Sequence, residues 1–218
     1  TPMLALHEHN EDKKVQQLIE KLSLGKSIAL ISDAGTPLIS DPGYQLVKAA
    51  LSADIKVSPV PGPSALVTAL SASGLPSDSF IFEGFLPNKS TSRLKKLESL
   101  VDESRTLIFY EAPHRIVACL QDMQEVFGAE RKAVIARELT KTFETIKNES
   151  LENLITWIEA DTNQQRGEFV LLIQGKEKEA STVDKEAEFI LETLMQELPL
   201  KQASQLAAKI TGIKKNTL

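Results

Sequence analysis

Cysteine, histidine and aromatic side chains are all scarce in this sequence. One cysteine, Cys119, and three histidines occur among 218 residues, and only 5% of the residues are aromatic. A single cysteine excludes an intrachain disulfide framework and is typical of a reducing compartment. Cys119 lies inside an apolar helical pattern, so we expect it to be a buried packing residue rather than a nucleophile. His7 and His9 have no cysteine partner nearby, and we therefore predict no metal site.

Long apolar runs are absent as well. No segment approaches the roughly 20 apolar residues that a membrane-spanning helix requires, and no basic-then-apolar signal peptide opens the chain. These absences predict a cytoplasmic protein with no membrane partner. The opening residues TPML are not a natural initiation site, so we expect a further segment upstream of them.

What the sequence does contain is a regular alternation of short apolar runs and amphipathic segments. Apolar residues at helical spacing predict a first helix at 11–24, with Asn10 as its cap and Gly25 just past its end. Strands are expected at 27–32, 55–60, 80–85, 106–111, 132–138 and 167–174. The helices between them are expected at 41–53, 64–73, 91–102, 114–127 and 151–160.

This order of elements favours an α/β fold with helices on the faces of a sheet. The later strands are close enough in sequence to run antiparallel, which would make the sheet mixed. Beyond them the polar segment 176–184 predicts a linker. Two amphipathic helices then predict a small helix-turn-helix-like extension over 184–218.

Five loops of unusual content follow the predicted strands: DAGTP, PGPS, FLPNKS, YEAPH and LTKTFE. Ligands of open α/β sheets bind in the crevice where such loops converge. Because the five loops share this position, together they predict a binding site more strongly than any one of them does.

The first loop belongs to the stretch SDAGTPLISDPG. Gly35 permits close backbone approach to a ligand, and Asp33 or Thr36 can bond exposed backbone groups. A plain tight turn is an equally good interpretation, and neither phosphate-binding glycine motif is present. In the second half, Asp41 is predicted to cap the next helix, with Pro42 as its first residue.

The other loops leave similar alternatives open. The hydroxyl of Ser64 sits at a helix start, where such groups commonly act as caps. Glu111 ends an apolar strand, either as a site residue or as a solvated strand end. His114 and Arg115 begin a helix, and the sequence fits a role in the site and a plain surface position equally well.

Basic residues are concentrated in a few segments although the net charge is −5. Lys89, Arg93 and Lys96 lie in one loop and helix start, and Arg137 and Lys141 flank another loop. The last twenty residues carry four lysines and no acid. Such runs are commonly solvated faces, but two of them adjoin the predicted crevice, which favours a polyanionic substrate.

Six ordered blocks resemble the tetrapyrrole methylase superfamily: SDAGTPLISDPG, VPGPSA, FEGFLPNKS, TLIFYEAPHR, RELTKTFET and RGEFVLLIQG. Its members are class III S-adenosylmethionine (SAM) methyltransferases, in which two α/β lobes with mixed sheets enclose the cofactor. The blocks are most similar to the branch that 2′-O-methylates a cytidine ribose in 16S rRNA of the small ribosomal subunit. The resemblance implies lobes at 1–75 and 76–176, a homodimer, and an N-terminal strand and loop missing from the start.

The chemistry of methyl transfer to a hydroxyl requires a base, and the resemblance implies the binding residues. Glu111 is the first candidate for the general base and Glu144 the second, although the missing N-terminal loop could equally supply it. The implied SAM-binding residues are Asp33, Ala34, Gly35, Thr36, Gly62, Ser64, Tyr110, Gly167, Phe169 and Val170. The RNA-side candidates are Lys89, Arg93, Lys96, His114, Arg115, Arg137 and Lys141.

Two other functions fit the same sequence. One is a porphyrinoid C-methyltransferase of the same fold, and the other is a noncatalytic RNA-binding module that uses its lysines alone. The FLPNKS and LTKTFE blocks favour the RNA enzyme over the porphyrin-directed relatives.

Overall fold

The computed structural model describes residues 2–7, 11–177 and 182–213 of the chain. The chain divides into two compact units, Thr1–Gly175 and Lys176–Leu218. The first unit contains the sheet and most of the helices, and the second contains two further helices.

Five strands of the first unit form one mixed sheet. They are β1 (Phe80–Phe85), β2 (Thr106–Glu111), β3 (Lys132–Arg137), β4 (Thr145–Ser150) and β5 (Phe169–Ile173). Their order across the sheet is β1-β2-β5-β3-β4. Only β1 and β2 pair in parallel, and the other neighbours are antiparallel, as a mixed sheet requires.

The described part of the first unit contains six α-helices. They are α1 (Glu11–Ser23), α2 (Tyr44–Ser52), α3 (Ala65–Ser73), α4 (Ser90–Glu98), α5 (Ile116–Phe127) and α6 (Leu151–Ala160), with short 3₁₀ turns at Pro113–Arg115 and Thr162–Gln165. Alternate residues of β2 divide between the faces, as the two-residue strand period requires. Leu107 and Phe109 join the core beneath α4, α5 and α6, whereas Ile108 joins the core beneath α3.

The strand register places one end of each of the five strands at the same end of the sheet. Glu111 at the end of β2 pairs with Phe169 at the start of β5, and Phe169 pairs in turn with Arg137 at the end of β3. Arg137 pairs with Thr145 at the start of β4, and Phe85 ends the parallel strand β1 beside them. The loops 86–89, 112–115, 138–144 and 166–168 therefore emerge together, which places four of the connecting segments at one rim.

The sequence-based prediction missed β4 altogether. Its residues TIKNES are mostly polar, because β4 is an edge strand whose side chains are only partly covered. The apolar strands β2 and β5 are buried along nearly their whole length, and they stand out in the sequence for that reason.

Two predicted strands, 27–32 and 55–60, are wrong. In the described part of the chain these segments have no regular secondary structure and make no strand pairing. Their apolar side chains are not covered either, since Ile31 is 72% and Val60 is 87% exposed. Strand assignment requires a hydrogen-bonded neighbour, which a local apolar pattern cannot reveal.

The predicted start of the second helix is also wrong. Helix α2 begins at Tyr44, and its N-cap is Gly43 with φ +129°, rather than Asp41. A Cβ at Gly43 would lie 2.7 Å from a methyl group of Leu30, so the close packing here favours glycine. The helix cannot extend back through this positive φ, and Asp41 remains in the preceding loop.

The remaining helices agree with the prediction to within a few residues, except that α4 ends at Glu98 instead of 102. The predicted cap Asn10 lies outside the described residues.

The buried position of Cys119 is confirmed. Its side chain lies in the core beneath α5, and no part of the residue is exposed. Burial raises the pKa of the thiol well above its usual range, and the nearby Glu111 carboxylate adds to the effect. Cys119 therefore acts as a packing residue.

The second unit consists of α7 (Thr182–Met195) and α8 (Leu200–Thr211), which pack against each other. Ala187 on α7 and Ala203 and Ala207 on α8 are buried, and their small side chains allow close approach. Pro199 is the N-cap of α8. This helix pair agrees with the predicted extension, although α7 begins within the predicted linker 176–184, and the final segment 214–218 lies outside the described residues. No described helix has the length and apolarity needed to cross a membrane.

Candidate functional site

A cavity of about 330 Å³ opens where the loops converge. Its volume is within the range of small-molecule sites. Two groups of residues line it. The first comes from segments that precede β1, at 33–36, 39–41 and 64–65, and the second comes from the ends of β1, β2, β3 and β5 and the residues next to them. The cavity therefore lies where the five unusual loops predicted a binding site, and each of those loops contributes at least one lining residue.

Loop 33–36 is fixed by hydrogen bonds to its neighbours. The Thr36 hydroxyl donates to the carbonyl of Pro63 at 2.9 Å, which joins this loop to the PGPS turn. The Ser32 hydroxyl lies 3.1 Å from the carbonyls of Ala34 and Gly35. Gly35 has φ +72°, so the turn uses the left-handed conformation that favours glycine.

Ser64 lines the cavity at the start of α3. It occupies the N-cap position, but its side chain makes no cap hydrogen bond. The simple capping interpretation of this serine is therefore wrong. The hydroxyl stands at the cavity wall, where it can bond a ligand.

Tyr110 forms part of an aromatic wall. Its ring lies 4.8 Å from that of Phe82 and 5.7 Å from that of Phe85, both in edge-on arrangements. Burial raises the pKa of the Tyr110 phenol, so it remains neutral at physiological pH.

All charged residues that line the cavity are acidic: Asp33, Asp41, Glu111 and Glu168. Glu111 forms an ion pair with Arg115, and Glu168 shares the Lys141 ammonium with Glu138. Within the described residues, Asp33 and Asp41 form no ion pair, and no basic residue lines the cavity. The electrostatics therefore favour a ligand that carries positive charge.

Arg115 connects the end of β2 to the loop that follows β1. Its Nε donates to Oε1 of Glu111 at 2.5 Å, and its Nη2 donates to the carbonyl of Leu86 at 2.8 Å. Its Nη1 donates to the Asn88 side chain. The Glu111 side chain is fully buried and also accepts from the amide of Ala112 at 2.6 Å. One guanidinium therefore holds two of the site loops together.

Arg93 holds the same loop from another side. Its Nε donates to Asp122 at 2.6 Å, and its Nη1 lies 3.5 Å from the carbonyl of Pro87 and 3.4 Å from that of Asn88. The Arg93 side chain is 4% exposed. Loop 86–89 is thus braced by two largely buried arginines.

The other RNA-side candidates differ in their surroundings. Arg137 is buried and donates to the carbonyls of Asn163 and Arg166. Lys96 pairs with Glu83 at 2.7 Å. Of the seven candidates, only Lys89 and His114 are exposed residues for which the described structure has no side-chain partner. Direct RNA contact by Arg93, Arg115 or Arg137 would require their present hydrogen bonds to break, and such contact stays a prediction.

The cavity brings together most of the residues implied as cofactor-binding. Gly62 and Gly167 do not line it, although Gly167 adjoins the lining residue Glu168. The first base candidate, Glu111, lines the cavity, whereas Glu144 does not and accepts from the amide of Thr140 at 2.6 Å. Sequence reasoning missed Ile39, Ser40, Asp41, Ala65, Phe85, Ala136, Leu139 and Glu168 as lining residues.

Metal-ligand clusters are not found at this site. In the described ranges, no group of three or more His, Cys, Asp or Glu side chains is arranged to hold an ion. The four acidic lining residues are therefore better suited to an organic cation than to a coordinated metal.

Comparison with known protein families gives two matches along the chain. A family model described as Tetrapyrrole (Corrin/Porphyrin) Methylases matches residues 1–155. A second, described as the RsmI C-terminal HTH domain, matches residues 181–218. Between them the two models cover nearly all of the sequence.

Curated relatives match along the whole chain. Ribosomal RNA small subunit methyltransferase I of Vibrio cholerae is 58% identical over 100% of this chain and 76% of its own length. The protein of the same name from Pseudomonas aeruginosa is 55% identical, over 100% of this chain and 78% of its own.

Solved structures share the fold at much lower identity. The methyltransferase CobJ superposes with a TM-score of 0.57 at 19% identity, covering 80% of this chain and 74% of its own. A diphthine synthase superposes with a TM-score of 0.58 at 16% identity, covering 78% and 68%. At these identities the two structures demonstrate a common fold and nothing further.

Replacement of Arg115 by Met tests the loop-bracing network. The variant leaves the buried Glu111 carboxylate without its cation, and breaking such a pair costs about 3–5 kcal/mol of unfolding free energy. We expect urea denaturation to give a loss of this size, part of which is recovered in the double variant Glu111→Gln with Arg115→Met. Arg105→Met, which breaks an exposed pair with Glu103, is the matched control and should change little. Equal losses for Arg115→Met and Arg105→Met would contradict the assignment.

Proposed function

Because this chain belongs to the tetrapyrrole methylase family, we propose that it is a SAM-dependent methyltransferase that 2′-O-methylates a cytidine ribose of 16S rRNA. The observation that carries the proposal is full-chain identity of 54–58% to several curated relatives named ribosomal RNA small subunit methyltransferase I. The matched C-terminal domain supports it, since the same relatives are matched across that segment too. The partner is 16S rRNA or the small subunit, the protein is cytoplasmic as ribosomes are, and it acts as a homodimer.

The cavity suits SAM in the charge and polarity of its lining. SAM carries a sulfonium and an ammonium group, and the unpaired carboxylates of Asp33 and Asp41 line the cavity. Ile39, Leu139 and Val170 offer apolar surface for a flat ring. The residues that would hold the cofactor are Asp33, Ala34, Gly35, Thr36, Ser64, Tyr110, Phe169 and Val170, with Gly62 and Gly167 shaping the adjoining turns.

When bound, SAM supplies a methyl group that is already activated by attachment to a sulfonium. The protein must then align a ribose hydroxyl with that methyl group, and positioning of this kind is worth about 7–11 kcal/mol in favourable cases. The rigid loops at the cavity rim, braced by Arg93 and Arg115, provide such alignment. The hydroxyl proton must also be accepted by a base.

Glu111 and Glu144 are the two candidates for that base. Glu111 lies at the cavity wall, but both of its carboxylate oxygens already accept hydrogen bonds from Arg115. It can take a proton only if that pairing loosens when substrate binds. Glu144 is exposed on loop 138–144, where one of its oxygens accepts from Thr140. Glu111→Gln and Glu144→Gln, each assayed for methyl transfer, distinguish the two roles.

Methyl transfer from tritiated SAM tests the proposed reaction. Small ribosomal subunits from a strain without this methylation should accept label, whereas a tetrapyrrole should not. A 2′-O-methyl group removes the nucleophile of alkaline RNA cleavage, so the label should be recovered in an alkali-stable dinucleotide that contains cytidine.

Each alternative gives a different outcome in this experiment. Label in the tetrapyrrole alone would establish the porphyrinoid enzyme. RNA binding without saturable heat on calorimetric titration with SAM would establish the noncatalytic module. Label on a base rather than a ribose would defeat the 2′-O assignment while leaving RNA methylation intact.

Lys89→Glu tests the RNA side of the site. Lys89 is exposed on the braced loop 86–89, and the reversal of its charge should weaken subunit binding and make the remaining affinity less sensitive to salt, because fewer counterions are released. SAM affinity should be unchanged, because Lys89 does not line the cavity. Lys132→Glu, the same change at the opposite end of β3, is the control and should have little effect. Similar losses for both variants would point to a general charge effect instead of a defined contact.

A further inference from the structure

The loop between β3 and β4, residues 138–144, carries an exposed aromatic side chain beside the cavity. Phe143 is 70% exposed, and within the described residues its ring stacks on no other ring. Leu139 of the same loop lines the cavity, so the loop forms part of its rim. A large apolar side chain in this position costs solvation free energy unless something covers it.

The loop is held in place by a dense set of polar contacts. The Lys141 ammonium donates to Glu138 at 2.9 Å and to Glu168 at 3.0 Å, which ties the loop to the start of β5. The Glu168 amide donates to the Glu138 carboxylate at 2.9 Å. Glu144 accepts from the amide of Thr140, and its own amide donates to the carbonyl of Lys141 at 3.1 Å. The bond from Lys141 holds the pKa of Glu138 below its usual range, so the carboxylate stays ionised at neutral pH.

Two residues of the loop adopt strained backbone conformations. Glu138 has φ +50° and Thr140 has φ +66°, and a β-branched residue is rarely found in this left-handed region. Strain of this kind persists only where the surrounding contacts impose it, and it is concentrated at functional sites. The polar contacts therefore impose a backbone conformation that the loop residues would not adopt by their own φ/ψ preferences. Phe143 is held by this loop in a fixed position.

The charges around Phe143 indicate what it contacts. Glu138, Glu144 and Glu168 outnumber Lys141, so this rim repels phosphate groups. The face of a nucleobase is uncharged, and sequence-specific RNA recognition commonly stacks unpaired bases on aromatic side chains. An aromatic ring on a rigid loop also loses little conformational entropy on binding.

We infer that Phe143 stacks on an unpaired nucleobase of the substrate RNA and thereby orients the strand whose ribose enters the cavity. This inference rests on the proposed function. Lys89 then contacts phosphate from loop 86–89, and Phe143 contacts a base from loop 138–144. The two loops lie at the same edge of the sheet.

The test compares three variants of the full chain on unmethylated small subunits. Phe143→Ala should lower kcat/KM for subunits roughly 5- to 150-fold, the range expected for loss of one stacked base. Phe143→Trp should retain activity, because indole stacks as well as phenyl does. Phe80→Ala, at the opposite end of β1 and itself 40% exposed, should behave as wild type. The SAM dissociation constant, measured by calorimetry, should be unchanged in all three.

Two further measurements complete the experiment. Filter retention measures the binding of subunits, and sedimentation velocity measures the self-association of each variant. Wild-type kcat/KM in Phe143→Ala would overturn the inference, as would weakened SAM binding in that variant. A change in self-association would instead place Phe143 between two copies of the chain. If the wild type binds but does not methylate subunits, the proposed function fails, and weaker binding by Phe143→Ala would still support stacking.

Discussion

The ion pair between Glu111 and Arg115 is the interaction on which the site depends. A fully buried carboxylate is tolerated only with a cation and further hydrogen bonds, and Arg115 and the amide of Ala112 supply both. The remaining donors of Arg115 reach Leu86 and Asn88, so the satisfaction of one buried charge also fixes the loop after β1. Arg93 braces that loop through Asp122. The shape of the cavity rim is thus set by charged residues that pair with one another inside the protein and not with a ligand.

Charge is separated across this rim in a way that suits two substrates of opposite sign. Asp33 and Asp41 face the cavity, where a cationic cofactor would be stabilised. Lys89 and His114 are exposed on the surrounding loops, where a polyanion would meet them. The acidic loop 138–144 forms another part of this rim. Its exposed Phe143 ring is uncharged, so the loop can contact a nucleobase through this ring. Methyl transfer requires both substrates in one place, and this separation offers each of them a surface of complementary charge.

Much of the fold could be predicted from the sequence, because β2, β3 and β5 are apolar runs buried on both faces. The polar edge strand β4 could not, and segments 27–32 and 55–60 were assigned as strands although pairing is invisible to a local pattern. Within the site, glycine and proline marked loop 33–36, whereas Leu139 and Glu168 reach the cavity only through the register of β3 with β5. Arg93 and Arg115 were assigned to the RNA side because a sequence reports charge and not burial. Their partners Asp122 and Glu111 lie 29 and 4 residues away along the chain.

A crystal structure of the protein with S-adenosylhomocysteine would test most directly whether this cavity holds the cofactor. This molecule is the product that SAM leaves after methyl transfer, and it lacks only the transferred methyl group and the sulfonium charge. We expect S-adenosylhomocysteine to occupy the cavity, in contact with loop 33–36, Ser64 and the wall formed by Tyr110. We also expect the Glu111–Arg115 pair to be unchanged by binding. Density for the ligand at any other site, with this cavity filled by solvent, would contradict this assignment of the cavity.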